Sequence, residues 1–155
     1  MVSLRGLSLR RCLELTTPDR RLLVGAAVAQ VVAAAALRAM PVQALRASAH
    51  RFRRLAQVLV VGSDERKAWA IEATGRRLGG LSTCLIRALV AELLLDSNHG
   101  PVSLTIGVKR TAGGAIEAHA WVARKNRVLI GTTADTYVPL VTWTGPPARL
   151  PLIHQ

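Results

Sequence analysis

Aromatic side chains are scarce: three Trp, one Tyr and one Phe in 155 residues. They do not interleave with the basic residues as a stacking platform for single-stranded nucleic acid requires. Cysteine is scarcer still, and Cys12 and Cys84 lie far apart in sequence. Two cysteines cannot supply the disulfide framework of a small secreted domain, so two free thiols in a reducing cytoplasm are expected. No Cys/His spacing suits zinc, and the paired glycines at 79–80 and 113–114 lack the pattern of a phosphate or dinucleotide loop. No cofactor and no metal is therefore expected. Acids number 9 against 21 Lys and Arg, a formal net charge of +12. Such an excess suits nucleic acid, an anionic membrane face or an acidic partner. No nucleic-acid motif accompanies it, so a solvated basic surface is the preferred reading and nucleic acid is not an expected partner.

A long apolar run is also lacking. Leu22 to Leu37 is apolar except for Gln30, and charged flanks Arg20, Arg21 and Arg38 bound it. It falls short of the ~20 residues of a spanning helix. No small-residue cleavage site follows it, as a signal peptide would need. A buried or surface-docked helix is preferred over a membrane anchor.

What is present is a globular composition, 50% hydrophobic and 19% charged, long enough for one domain with a real core. The apolar residues are mostly Ala, Leu and Val, which favours helices. Residues 1–16 are basic and irregular. Thr17-Pro18-Asp19 reads as a helix start, with Thr as N-cap and Pro in the first turn, and the helix runs to about Met40 before Pro41. Residues 42–60 repeat apolar positions (Val42, Leu45, Ala49, Phe52, Leu55, Val58, Leu59) at helical spacing, which predicts Arg46, Arg51, Arg53 and Arg54 largely on the other faces. Ser63 or Asp64 caps a helix to about Leu78, with Trp69 packing inward and Gly79-Gly80 ending it. Ser82-Thr83 caps the next, Cys84 to about Asp96.

The period then changes. Val102, Leu104, Ile106 and Val108 alternate with polar or small residues, which predicts a strand. Gly113-Gly114 makes a hairpin loop, Ile116 to Ala123 a second strand, residues 124–127 a turn, Val128-Leu129-Ile130 a third strand, and Tyr137 to Trp143 a fourth. The tail from Gly145 has no clear element. Helices followed by an antiparallel sheet make an α+β fold. The reading divides the chain into a helical region, 1–62, and a core, 63–155, within one compact unit.

Two residues carry chemistry. Cys84 falls in the first turn of its helix, where free N–H groups and the helix dipole stabilise a thiolate. A buried structural cysteine is the plain alternative. His119 falls mid-strand, sharing one face with Glu117, Trp121 and Ala123, while Ala118, Ala120 and Val122 share the other. An acid, an imidazole and an indole on one face suit a site, and a satisfied structural histidine is the alternative. His50, His99 and His154 have weaker contexts. A helix-leading Cys before a strand His is the arrangement of papain-type nucleophilic catalysis.

Ser82-Thr83-Cys84-Leu85-Ile86-Arg87-Ala88-Leu89, Leu104-Thr105-Ile106-Gly107-Val108 and Ala118-His119-Ala120-Trp121-Val122 resemble, in this order, segments of the lasso-peptide leader peptidases, transglutaminase-like cysteine proteases of peptide maturation. The resemblance covers about 80–131, and 20–60 more loosely. It implies a transglutaminase-like Cys–His core that cuts the leader from a ribosomally made precursor. It also implies two partners: a separate leader-binding protein and an ATP-using macrolactam cyclase. The family's triad usually ends in an Asp about a dozen residues past the His, where Gly131 stands. With Lys125-Asn126 as hairpin tip, His119 would face about Thr132, and Asp135 is the nearest acid downstream. Asp135 is thus the preferred third member; Glu117, a neutral group or a backbone carbonyl are the alternatives. Two rival functions stay open: a transglutaminase-like acyltransferase on the same core, and a non-catalytic scaffold of the maturation complex.

Overall fold

The computed structural model describes residues 16–95 and 97–145. Expectations for residues 1–15, which include Cys12, and for the tail from 146 fall outside the described residues. Helix α1 spans Thr17–Ala39, α2 Val42–Leu59, α3 Asp64–Leu78 and α4 Cys84–Leu94. Strands β1 (Ser103–Arg110), β2 (Ile116–Arg124), β3 (Arg127–Ile130) and β4 (Val138–Thr144) form one antiparallel sheet in the order β3-β2-β1-β4. The fold is α+β, with the helices first and a small antiparallel sheet after them.

Local chemistry explains the boundaries. The cap of α1 is Thr16, one residue before the expected Thr17, and its hydroxyl donates to Asp19 in the first turn. Asp19 also pairs with Arg66 of α3. Extended backbone at Met40 and Pro41 separates α1 from α2, since Pro has no N–H with which to continue a helix. Ser63 caps α3 by accepting from the Arg66 N–H, and Thr83 caps α4 by accepting from the Ile86 N–H.

One buried cluster runs through the whole arrangement. Leu22 and Ala26 of α1 join Ala70 and Ile71 of α3, Leu89, Val90 and Leu94 of α4, and Leu104, Ala120, Val122 and Ile130 of the sheet. Helix α4 sits centrally, against α1, α2, α3 and β2. In the sheet, Leu104 faces Val122 and Ile106 faces Ala120, so these pairs form its helix-facing side. Thr105 and Trp121, and Gly107 and His119, pair on the opposite side by the alternation of a pleated strand.

Three side chains depart from the sequence reading. Trp69 is 40% exposed rather than packed inward. Arg46 is buried at 5%, forms a two-pronged pair with Glu92 of α4, and lies with its guanidinium 4.8 Å from the Trp143 ring centroid. The apolar stripe of α2 divides: Val42 and Leu45 pack against the core, while its later part points outward, Phe52 being 62% exposed and Val58 72%. The reason lies at the end of α4. Its terminal carbonyl, Leu95 O, accepts from Arg53 Nη2 at 2.9 Å and Gln57 Nε2 at 3.0 Å, so polar groups of α2 turn toward the body.

Candidate active site

Cys84 is the first residue of α4, half-buried, with a free thiol packed against the edge of the core. Two features fix the chain just before it. The Thr83 hydroxyl holds the Ile86 N–H. Ser82 is buried and donates its hydroxyl to Gln30 Oε1. Gln30 is fully buried, and its Nε2 donates to Thr74 Oγ1 at 2.6 Å and to the carbonyls of Ala26 and Ile71 at 3.2 Å. The one polar residue in the apolar run of α1 therefore anchors the segment that leads into Cys84. A buried amide needs such partners. The sequence marked Gln30 as an exception but did not mark it as part of a site.

His119 stands on β2, the strand against which α4 packs. Its Nε2 lies 2.8 Å from Gly131 O. A carbonyl can only accept, so Nε2 carries the proton, and in the neutral ring Nδ1 keeps the lone pair. Two rings flank the imidazole: Trp121 at 6.2 Å between centroids, nearly parallel at 19°, and Tyr137 at 5.1 Å, tilted by 32°. Opposite His119 lies Gly107, where a Cβ would approach Trp121 Cη2 to 2.9 Å and Val138 O to 2.8 Å. The absent side chain at 107 leaves room for the indole.

Arg124 pairs with Arg127 and Ala123 with Val128, but Val122 pairs with Ile130, a one-residue bulge. The ladder ends at Ile130, and Gly131 turns out of the strand with positive φ, so His119 meets a carbonyl just beyond the paired region and not a register partner. Gly131 has φ +81°, and a Cβ there would lie 2.6 Å from Ala120 O. Only glycine fits without strain.

Asp135 is placed elsewhere. Its carboxylate takes Lys109 Nζ at 2.5 Å, and Lys109 also reaches Glu117 Oε2 at 3.4 Å. The Tyr137 hydroxyl donates to Glu117 Oε1 at 2.7 Å. These contacts shift the groups. Lys109 is held protonated well above the usual lysine range, first by its hydrogen bond to Asp135 and then by both carboxylate charges. The Tyr137 bond holds the Glu117 carboxyl below its ordinary value and pushes the Tyr137 phenol up. Among the described residues, no hydrogen bond joins His119 to Asp135, to Glu117 or to the Cys84 thiol. Strand alternation puts the His119 side chain on one face of β2 and Ala120 and Val122 on the other, which packs on the helices, whereas Cys84 packs against the core on the helix side.

A connection between α4 and the imidazole runs through α3. Arg87, one turn after Cys84, donates to Glu72 Oε2 at 2.9 Å. Glu72 Oε1 accepts from the Gly131 N–H at 3.4 Å, and the Gly131 carbonyl holds His119. Sequence periodicity carries no signal for Glu72, because the contact spans 59 positions. Among the described residues no group of three or more His, Cys, Asp or Glu is arranged to hold a metal.

Neither curated proteins nor solved structures yield a match to the chain. A family model described as the transglutaminase-like superfamily matches residues 21–142, from α1 into β4. That span covers well over half of the chain, including Cys84 and His119. The chain belongs to the transglutaminase-like superfamily, whose general chemistry is that of cysteine proteases and acyltransferases.

Proposed function

We propose that the chain is a cytoplasmic cysteine peptidase that removes the leader from a ribosomally made lasso-peptide precursor. A separate leader-binding protein delivers the substrate, and a macrolactam-forming cyclase acts on the product. The observation that carries this reading is the state of His119. Its Nε2–H is taken by a backbone carbonyl, which leaves Nδ1 as a free base, and the proposed proton transfer requires that base to reach the thiol from the face of β2 opposite the one packed on the helices. The resemblance of the segments around Cys84, Gly107 and His119 to the leader peptidases supplies the substrate class.

In the reaction, His119 Nδ1 takes the thiol proton of Cys84, and the thiolate attacks the scissile carbonyl at the leader–core junction. The N–H groups of Cys84 and Leu85, at the start of α4 and ahead of the Ile86 N–H that Thr83 holds, stabilise the oxyanion. The imidazolium returns the proton to the leaving amine, the new N-terminus of the core peptide. Water, deprotonated by His119, then hydrolyses the thioester and frees the thiol. The Gly131 carbonyl performs the orienting task of a third triad member, and Asp135 is taken by Lys109.

The test mixes the purified chain with precursor and leader-binding protein and reads products by mass. Two fragments whose masses sum to precursor plus water support hydrolysis; an adduct joined to an amine assigns acyl transfer instead. Cys84→Ala and His119→Ala should each lose cleavage by about a thousandfold or more. A folded Cys84→Ala protein that still cleaves would exclude the mechanism.

A further inference from the structure

The helical hairpin of α1 and α2 turns its apolar sides to solvent. On α1, Val24, Val28 and Val32 are each more than half exposed; on α2, so are Phe52, Leu55 and Val58. The two stripes meet at an apolar cleft of about 360 Å³, with Val32 and Phe52 among its lining residues. Monomeric soluble proteins rarely leave such a continuous patch uncovered, and one rimmed by charge marks an interaction surface. The rim here is basic. Exposed Arg21 and Arg38 stand toward the two ends of the α1 stripe, and exposed Arg51 and Arg54 accompany the α2 stripe. Helix α2 has no acid, and the single acid of α1, Asp19, is paired with Arg66.

We propose that this face rests on an anionic lipid surface, with the valine, leucine and phenylalanine side chains in the headgroup–acyl boundary and the arginines reaching lipid phosphates. Two observations select lipid over a protein partner. The outward positions are mostly apolar or arginine, whereas a registered protein interface carries about ten directed hydrogen bonds. Positive charge without acid on these stripes complements an anionic leaflet of any lateral arrangement. Crossing the bilayer is a separate matter: the apolar run 22–37 falls short of a span, but α1 as formed extends beyond it to 23 residues and is apolar and long enough by length and composition. Its inner side, however, is committed to the body through fully buried Gln30 and its bonds to Thr74, Ile71 and Ser82. The helix lies along the surface. This placement does not depend on the peptidase reading.

The test sediments the full chain with vesicles of phosphatidylcholine, alone or mixed with phosphatidylglycerol. Binding is expected only to the mixed vesicles and should weaken with salt. Arg51→Ala and Arg54→Ala should each reduce partitioning about fivefold, and Val28→Glu or Leu55→Glu should abolish it. All four positions are exposed, and circular dichroism reads whether the fold is kept. Equal binding to both vesicle types, or binding that survives Leu55→Glu, overturns the proposal. So does a lipid-free dimer that Leu55→Glu dissolves, which would give the face to a second copy of the chain.

Discussion

The Gly131 carbonyl accepts the Nε2–H of His119 at 2.8 Å, so the imidazole is oriented by backbone where a carboxylate was the expected partner. This arrangement needs glycine, because φ at 131 is +81° and a Cβ would lie 2.6 Å from Ala120 O. Gly131→Ala should lower stability by about 2 kcal/mol or more. Gly131→Asp should lower it at least as much and reduce turnover rather than raise it. Urea unfolding and cleavage rates check both; an improved rate in Gly131→Asp would show that a carboxylate is the better orienting group.

Glu72 should act on the imidazole without touching it. Glu72→Gln keeps an oxygen for the Gly131 N–H but loses the charge that pairs with Arg87. It should reduce kcat about tenfold with KM little changed. Loss of stability with kcat unchanged would leave Glu72 as a brace between α3 and α4 only.

Tyr137 is the single tyrosine of the chain, so ultraviolet titration reads it alone. Its phenol should ionise above the ordinary value near ~10, because the hydroxyl donates to Glu117. Glu117→Gln should bring it down. The same bond lowers the Glu117 carboxyl. Its stabilising contribution is therefore present above the usual glutamate range and lost as pH falls through the lowered value. NMR titration of Glu117 in Tyr137→Phe should show the carboxyl returning upward.

Arg46 and Glu92 form a pair with side-chain exposures of 3% and 13%. Glu92→Ala leaves a guanidinium in the interior with only a long bond to Gly145 O, at 3.4 Å, and the Trp143 ring. It should cost about 3–5 kcal/mol. Arg46→Met combined with Glu92→Leu should recover most of that loss, because two apolar groups of similar bulk need no partner. Chemical denaturation of the two variants beside the parent protein checks the sign.

The elements themselves were legible. Pro41, Gly79-Gly80 and the alternation from Val102 mark where the period of apolar residues changes, and the helices and strands follow those marks to within a residue or two at most ends. The inward face of α2 was not legible. Its apolar stripe obeys the ordinary rule for a buried side, yet Leu95 O and Glu92 draw the guanidiniums of Arg53 and Arg46 inward. Such demands come from an element more than thirty positions away. The orienting partner of His119 was hidden for a related reason. The β2–β3 ladder ends at Ile130, and the positive φ of Gly131 takes the chain out of the strand, which counting along the hairpin does not anticipate. Cys84 at a helix start and His119 on a strand were readable because each depends on its own segment.

Gln30 joins the front of the chain to the turn that delivers the thiol. A shortened enzyme beginning after Met40 would therefore lack the hook on Ser82, and its nucleophile would enter α4 from a slack approach. Transplanting the site into another scaffold means carrying α1 along with the half that holds Cys84 and His119. The glutamine ties the two halves together, so a substitution that opens the enclosure of its amide should disturb both the α1 packing and the approach to Cys84.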